Sequence, residues 1–343
     1  MDPGSRPFSL SIHSFGCERM AFLHAAAAVA EGAAVVGTEA QKYCAAAAAL
    51  NDPLRRVCVL GGRPNLRRSL GSVYAGSVTR FLGGFRGVAS RTVPALEWDA
   101  HSSSGGVALT SDGAALLVTA TNRIRIFHAG SGRPLREIDL PWSSDMRRVC
   151  VAPDGFVFAA DHSLARIYVL TPQLDFHGVI CKGLLATPMG IAANNNHIVV
   201  SEDVRHCISV FRRCDSALVR RFGALGNGNG HLHSPCGVCF IGQTCQLAVA
   251  DSANSRVSVF TLAGEFVRHV GIGTLGDPLD VASSGAGELF VADDLRCALY
   301  VFSADGELLH KCGHKRPEPH ARLAICGSTV VTLTHVGQLT AYT

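Results

Sequence analysis

Charge and aromaticity are both scarce in this sequence. Only 17% of its 343 residues are Asp, Glu, Lys or Arg, and 7% are Phe, Trp or Tyr. Because 48% are hydrophobic, the low charge excludes wholesale disorder. No apolar run makes a good membrane span. The longest, Met20 to Thr38, is rich in Ala and carries Glu31. A charge at mid-bilayer costs roughly 2.5–3.5 kcal/mol. A convincing secretory signal is also missing, and so is an even set of regularly spaced cysteines. The thirteen Cys include Cys150, Cys181, Cys207, Cys239, Cys245 and Cys326 in or beside stretches that read as strands. A free thiol there behaves as a small apolar side chain. Unpaired Cys in this number suits a reducing compartment, so a cytoplasmic, non-inserted protein is expected. A chain of this length buries a core without disulfides or metals.

The N-terminal part differs in texture. Residues 1–87 carry ten basic and five acidic side chains, whereas 88–343 carry twenty-one and twenty-two. Two alanine runs, Ala25–Ala28 and Ala45–Ala49, predict loose helix between Glu18 and Leu50, interrupted by Gly32 and Gly37. From Leu54 to Arg91 there are eight Arg, no Lys and no acid. That stretch reads as a low-order basic linker; contact with RNA or an anionic surface is the sharper alternative. The larger C-terminal part is neutral, with no global drive toward nucleic acid.

Repetition fills that part. Six times from about residue 105, a short apolar strand is followed by a turn, a second strand and a third. The last apolar residues of the third strands are Phe127, Leu170, Phe211, Phe260, Phe302 and Tyr342, spaced 40 to 49 residues apart. Several strands per period of that length predict an all-β, six-bladed propeller of four-stranded blades. Five units carry a fourth, outer strand. The sixth lacks one, because the chain stops just after its third strand. The segment Thr92–Ala100, with Val93, Leu96 and Trp98, stands directly before the first unit. It is expected to pair beside Leu339–Tyr342 and close the ring, leaving no open edge. The expected divisions are thus 1–87 and 92–343.

Phe222-Gly223-Ala224-Leu225-Gly226, then Pro235-Cys236-Gly237-Val238, then Val249 to Phe260 together resemble an NHL repeat. Val291-Ala292-Asp293 through Val301-Phe302 with Asp305-Gly306 does so as well. The resemblance covers 92–343. It implies a propeller used for binding proteins, peptides or RNA, or in a few cases for metal-dependent lyase chemistry on amidated-peptide precursors. Some NHL proteins are ubiquitin ligases through a RING-type domain. Here only Cys17, Cys44 and Cys58 precede the propeller, so at most an adaptor or substrate-receptor role is expected.

The recurrent acids read as structural. An Asp ends the second strand and an Arg follows five residues on, in Asp161/Arg166 and Asp251/Arg256. Such pairs brace the intervening turn. Asp293 holds the same position without an Arg partner. The glycine-rich Gly223–Gly230 lacks the following helix that a phosphate loop needs, and reads as a flexible inter-blade loop. Cys236 and Cys239, three apart in a strand, point to opposite faces. No cofactor or metal is therefore expected.

In a propeller, the turns between second and third strands share a face with the links between blades. That link face collects eight of the fifteen His (101, 162, 206, 231, 233, 314, 320, 335) and a near-balance of charge, while the opposite face is mildly acidic. The candidate partner-binding residues are Trp142, Arg147, Arg148, His162, Arg205, His231, His233, Asn254 and Arg296. The expected function is a monomeric, non-catalytic scaffold holding a protein or peptide on this face. RNA binding through the same His and Arg is the alternative, and a metal-dependent lyase or hydrolase is the third.

Overall fold

In the computed structural model the residues described are 91–92, 105–120, 122–141, 145–313, 320–327, 329–334 and 339–342. The chain divides between Arg86 and Gly87, and all of these residues belong to the C-terminal unit.

Five sheets are each built from four consecutive antiparallel strands. Blade 1 comprises Val107–Leu109, Ala115–Thr119, Arg123–His128 and Pro134–Asp139. Blade 2 comprises Met146–Val151, Val157–Asp161, Arg166–Leu170 and Phe176–Ile180. Blade 3 comprises Pro188–Ala193, His197–Glu202, Cys207–Arg212 and Leu218–Phe222. Blade 4 comprises Pro235–Phe240, Gln246–Asp251, Arg256–Thr261 and Phe266–Val270. Blade 5 comprises Pro278–Ser283, Leu289–Asp293, Ala298–Phe302 and Leu308–Gly313. A sixth sheet joins His320–Cys326, Thr329–Thr334 and Leu339–Tyr342 to the two-residue strand Arg91–Thr92. Arg91 lies opposite Ala341 and Thr92 opposite Thr340. The closing strand therefore begins one residue before the expected segment. Val93, Leu96 and Trp98 lie outside the described residues.

The first strand of each blade neighbours the first strand of the next, and that of the sixth neighbours that of the first. The result is a ring around a central channel. The middle strands are buried on both faces, as in Val157–Asp161, Cys207–Phe211 and Ala298–Phe302. Each is sandwiched between two neighbouring blades. Such strands read as continuous apolar runs instead of alternating ones. The outer strands are largely exposed, as in Leu218–Phe222.

Hydroxyls clasp adjacent blades. Thr119 accepts from Gly106 N in its own blade and donates to Met146 O in the next, at 3.1 Å. Ser201 repeats this between Gly190 N and Cys236 O. Four turns between second and third strands end on a left-handed residue that is not glycine: Ala165 (φ 49°), His206 (φ 50°), Ser255 (φ 53°) and Cys297 (φ 45°).

Candidate functional site

The first strands start earlier than their apolar cores suggest. In blades 2, 3, 5 and 6 the pairing slips by one residue between the first and third positions, at Met146/Arg148, Pro188/Gly190, Pro278/Asp280 and His320/Arg322. Such bulges re-aim side chains. Equivalent positions around the ring are Gly106, Arg148, Gly190, Gly237, Asp280 and Arg322. A Cβ on Gly237 would stand 2.2 Å from Asp280 Oδ1, and one on Gly190 2.2 Å from Cys236 O. The glycines thus let neighbouring blades close up and leave the level to three charged side chains.

Arg148 differs most from its sequence-based placement on an accessible face. It is 5% exposed. Its Nη2 donates to Leu279 O at 2.7 Å and lies 3.5 Å from Asp280 Oδ1. Asp280 also accepts from Leu323 N at 2.8 Å and Val281 N at 3.0 Å. Burial pushes the Asp280 carboxyl above the ordinary range, opposed by Arg148 and by these two N–H groups. Around them lies a cavity of about 220 Å3, lined by the first strands of all six blades.

The remaining candidates sit on the link face or just under it, and most are engaged within the chain. Arg147 Nε is 2.9 Å from Asp145 Oδ2, and His162 Nδ1 lies 3.5 Å from the same oxygen. Partial burial, then Arg147, hold His162 below its usual pKa, against the pull of Asp145. Arg205 Nη1 is 2.9 Å from Glu202 Oε2 and donates to Leu184 O at 3.0 Å. His206 and His233 meet edge to face at 5.4 Å. His231 Nδ1 lies 3.3 Å from Asn229 O. Arg296 donates its backbone N–H to Asp293 Oδ1. Trp142 lies outside the described residues.

The strand-end carboxylates are fully buried. Asp251 accepts from Arg256 Nε at 2.8 Å, His233 N at 2.7 Å and Asn254 Nδ2 at 3.0 Å. Asp161 takes Leu164 N at 3.0 Å, with Arg166 Nε 4.0 Å away. Asp293, with no Arg opposite, takes the backbone N–H groups of Gly276, Asp277 and Arg296. The glycine-rich link differs from the flexible loop expected. Arg256 donates to the carbonyls of Asn227, Gly228 and His231, and Asn254 to that of Gly226. Four hydrogen bonds from one brace fold that loop onto blade 4.

A feature missed in the sequence is apolar. Leu164, Leu184, Val204, Leu225, Ile272 and Leu295 are exposed, Val204 and Leu295 by 66% and 72%. All six lie in link-face turns or links. The other exposed large hydrophobics of the described residues sit on outer strands, and none is in a turn of the opposite face.

No family model matches the chain, and no curated protein does. Solved structures do. A streptogramin B lyase superposes with a TM-score of 0.54 at 15% identity, over 71% of this chain and 84% of its own. Selenomethionine-substituted virginiamycin B lyase from Staphylococcus aureus gives 0.54 at 13%, over 72% and 98%. A catalytically inactive variant of that lyase, with quinupristin, gives 0.52 at 14%, over 71% and 96%. The chain is a β-propeller. At these identities the likeness is one of fold alone. No helix among the described residues of the propeller chain is long and apolar enough to cross a membrane.

Proposed function

We propose that this propeller, of NHL type by its repeat residues, is a non-catalytic scaffold whose link face holds a protein partner. One observation carries the reading: the exposed apolar side chains Leu164, Leu184, Val204, Leu225, Ile272 and Leu295 gather in the turns and links of one face. Exposed apolar side chains confined to the turns and links of one face are available there for contact with a protein. The electrostatics favour protein over RNA. Arg147 and Arg205 are already paired with Asp145 and Glu202, and Arg148 is buried against Asp280. RNA binding needs uncommitted cations to displace counterions.

The test places a photo-crosslinker in the full chain at Val204 or Leu295, and separately at Leu135 on an outer strand. Link-face probes should join one defined protein, whose binding is then measured after purification. Val204→Asp with Leu295→Asp should weaken that binding more than tenfold while leaving the unfolding midpoint nearly unchanged, as surface changes do. Crosslinking from Leu135 alone, or recovery of RNA with a steep salt dependence, overturns the reading.

A further inference from the structure

One outer strand lacks what guards the others. The fourth strands of blades 1, 3, 4 and 5 all carry charge, in Arg136 and Glu137, Arg220 and Arg221, Arg268, and Lys311. That of blade 2, Phe176-His177-Gly178-Val179-Ile180, has no Arg, Lys, Asp, Glu or Pro. Charges and proline are the usual means of stopping an edge strand from pairing further. The difference is sharpest at one register position, just after the pairing slips by one residue. Blades 1, 3 and 4 place Arg136, Arg220 and Arg268 there, and blade 2 places Gly178. Each arginine reaches into the next blade, to Gln173 O, Ala263 O and Ala304 O respectively. Blade 2 is tied to blade 3 from the other side instead, by Arg213 on Asp154. A Cβ on Gly178 would meet nothing within 4 Å, so the fold itself does not need a glycine there. Glycine inside a strand often marks the close approach of another backbone. Phe176 is 43% exposed, and among the described residues the strand pairs only with Arg166–Leu170.

We propose that Phe176–Ile180 pairs, antiparallel and edge to edge, with the same strand of a second copy of this chain. Charge selects that occupant. In a twofold arrangement about this register position, Arg136, Arg220 or Arg268 would face its own copy, and like charges directly opposite destabilise a strand pair. The blade 2 strand brings no such conflict. With Gly178 facing Gly178, Phe176 of each copy lies opposite Ile180 of the other, an aromatic and β-branched pair of the kind that stabilises sheets. The flanks favour the antiparallel sense. Asp175 stands before the strand, in an exposed pair with Arg136, and the exposed Lys182 stands in the link beyond it. Each copy's acid then comes toward the other's lysine. The pairing uses up the edge, so assembly stops at two copies. Five residues a side make a small interface, at the weak end of the specific range. The strand lies on the outer rim, away from the link face, so the dimer does not depend on what docks there.

The experiment is sedimentation velocity on the full chain, from low micromolar to several hundred micromolar. A reversible monomer–dimer equilibrium is expected. Gly178→Lys and Gly178→Glu should each weaken the dimer more than tenfold, because like charges then meet at the twofold. Mixed in equal amounts, the two variants should form a heterodimer with most of the wild-type affinity restored. That restoration separates strand pairing from loss of fold. Urea midpoints equal to or above that of the wild type check the same point, since glycine weakens a strand. A chain that stays monomeric at every concentration overturns the proposal and leaves the edge to an extended segment of another protein. Open-ended association overturns it as well. So does a dimer that both variants leave unchanged, or a mixture no tighter than either variant alone.

Discussion

Arg148 and Asp280 meet across the middle of the ring from blades three steps apart, Nη2 to Oδ1 at 3.5 Å. The hydroxyl clasps of Thr119 and Ser201 join neighbouring blades. The Arg148–Asp280 pair ties opposite sides, and both partners are buried. Removing one member of such a pair strands the other, at a cost of about 3–5 kcal/mol, whereas replacing both is often nearly neutral. Arg148→Met should therefore destabilise strongly, and Arg148→Met with Asp280→Leu much less, in urea unfolding at pH 7. The single-variant loss should grow with pH. Without Arg148, burial raises the Asp280 carboxyl further, so its ionisation opposes folding more. A coupling energy near zero would remove the tie from any account of ring stability.

The glycines at the same level make a second prediction. Gly237→Ala puts a methyl 2.2 Å from Asp280 Oδ1 and 2.8 Å from its Cα, so backbone must shift. Overpacking of this kind costs about 1–3 kcal/mol. Gly285→Ala is the control, because nothing lies within 4 Å of its added Cβ. Thermal unfolding should separate the two by several degrees. Equal midpoints would mean that the blades are not in close contact at Gly237.

The left-handed turn residues point the other way, toward stabilisation. Ala165 holds φ at 49° while its methyl packs, partly buried, against the core of blades 2 and 3. That conformation costs an L-residue roughly 1–2 kcal/mol, against about 0.5–1 kcal/mol of extra chain entropy for glycine. Ala165→Gly should raise the urea midpoint, by an amount worth less than about 1 kcal/mol because the partly buried methyl is lost with the strain. A fall in the midpoint would show that this turn does not hold the left-handed form in solution.

The repeat was legible because its cause is simple. Middle strands such as Ala298–Phe302 are buried on both faces, so they stand out as apolar runs at a regular period. The strand-end acids were legible too, since Asp251 and Arg256 face each other in register. Arg148 was misplaced for an equally physical reason. Its strand begins at Met146, and the slip between Met146 and Arg148 hides the alternation. Two adjacent arginines then look like a loop instead of a channel wall. The apolar side chains of the link face were hidden differently: Val204 and Leu295 are single residues in polar turns, and only the fold brings them to one side. The left-handed turns carry no glycine signal at Ala165 or Cys297, so nothing in composition marks them.

The histidines give the chain a signed dependence on pH. His162 and His269 both titrate below their usual 6.5, chiefly because burial disfavours the imidazolium and secondarily because of Arg147 and Arg256 respectively. Between the depressed folded values and 6.5 the unfolded chain binds more protons than the folded one. Stability therefore rises with pH across that window, and is lost as pH falls through it. Asp280 has the opposite sign. Its folded value is raised from 3.8, so its contribution is greatest in acid and fades as pH rises through the raised value. The urea midpoint of the wild type should drop between about pH 7 and about pH 5.5, and the variant with His162→Gln and His269→Gln should show a shallower drop. If the two profiles run parallel, protonation of these two rings does not drive the acid loss.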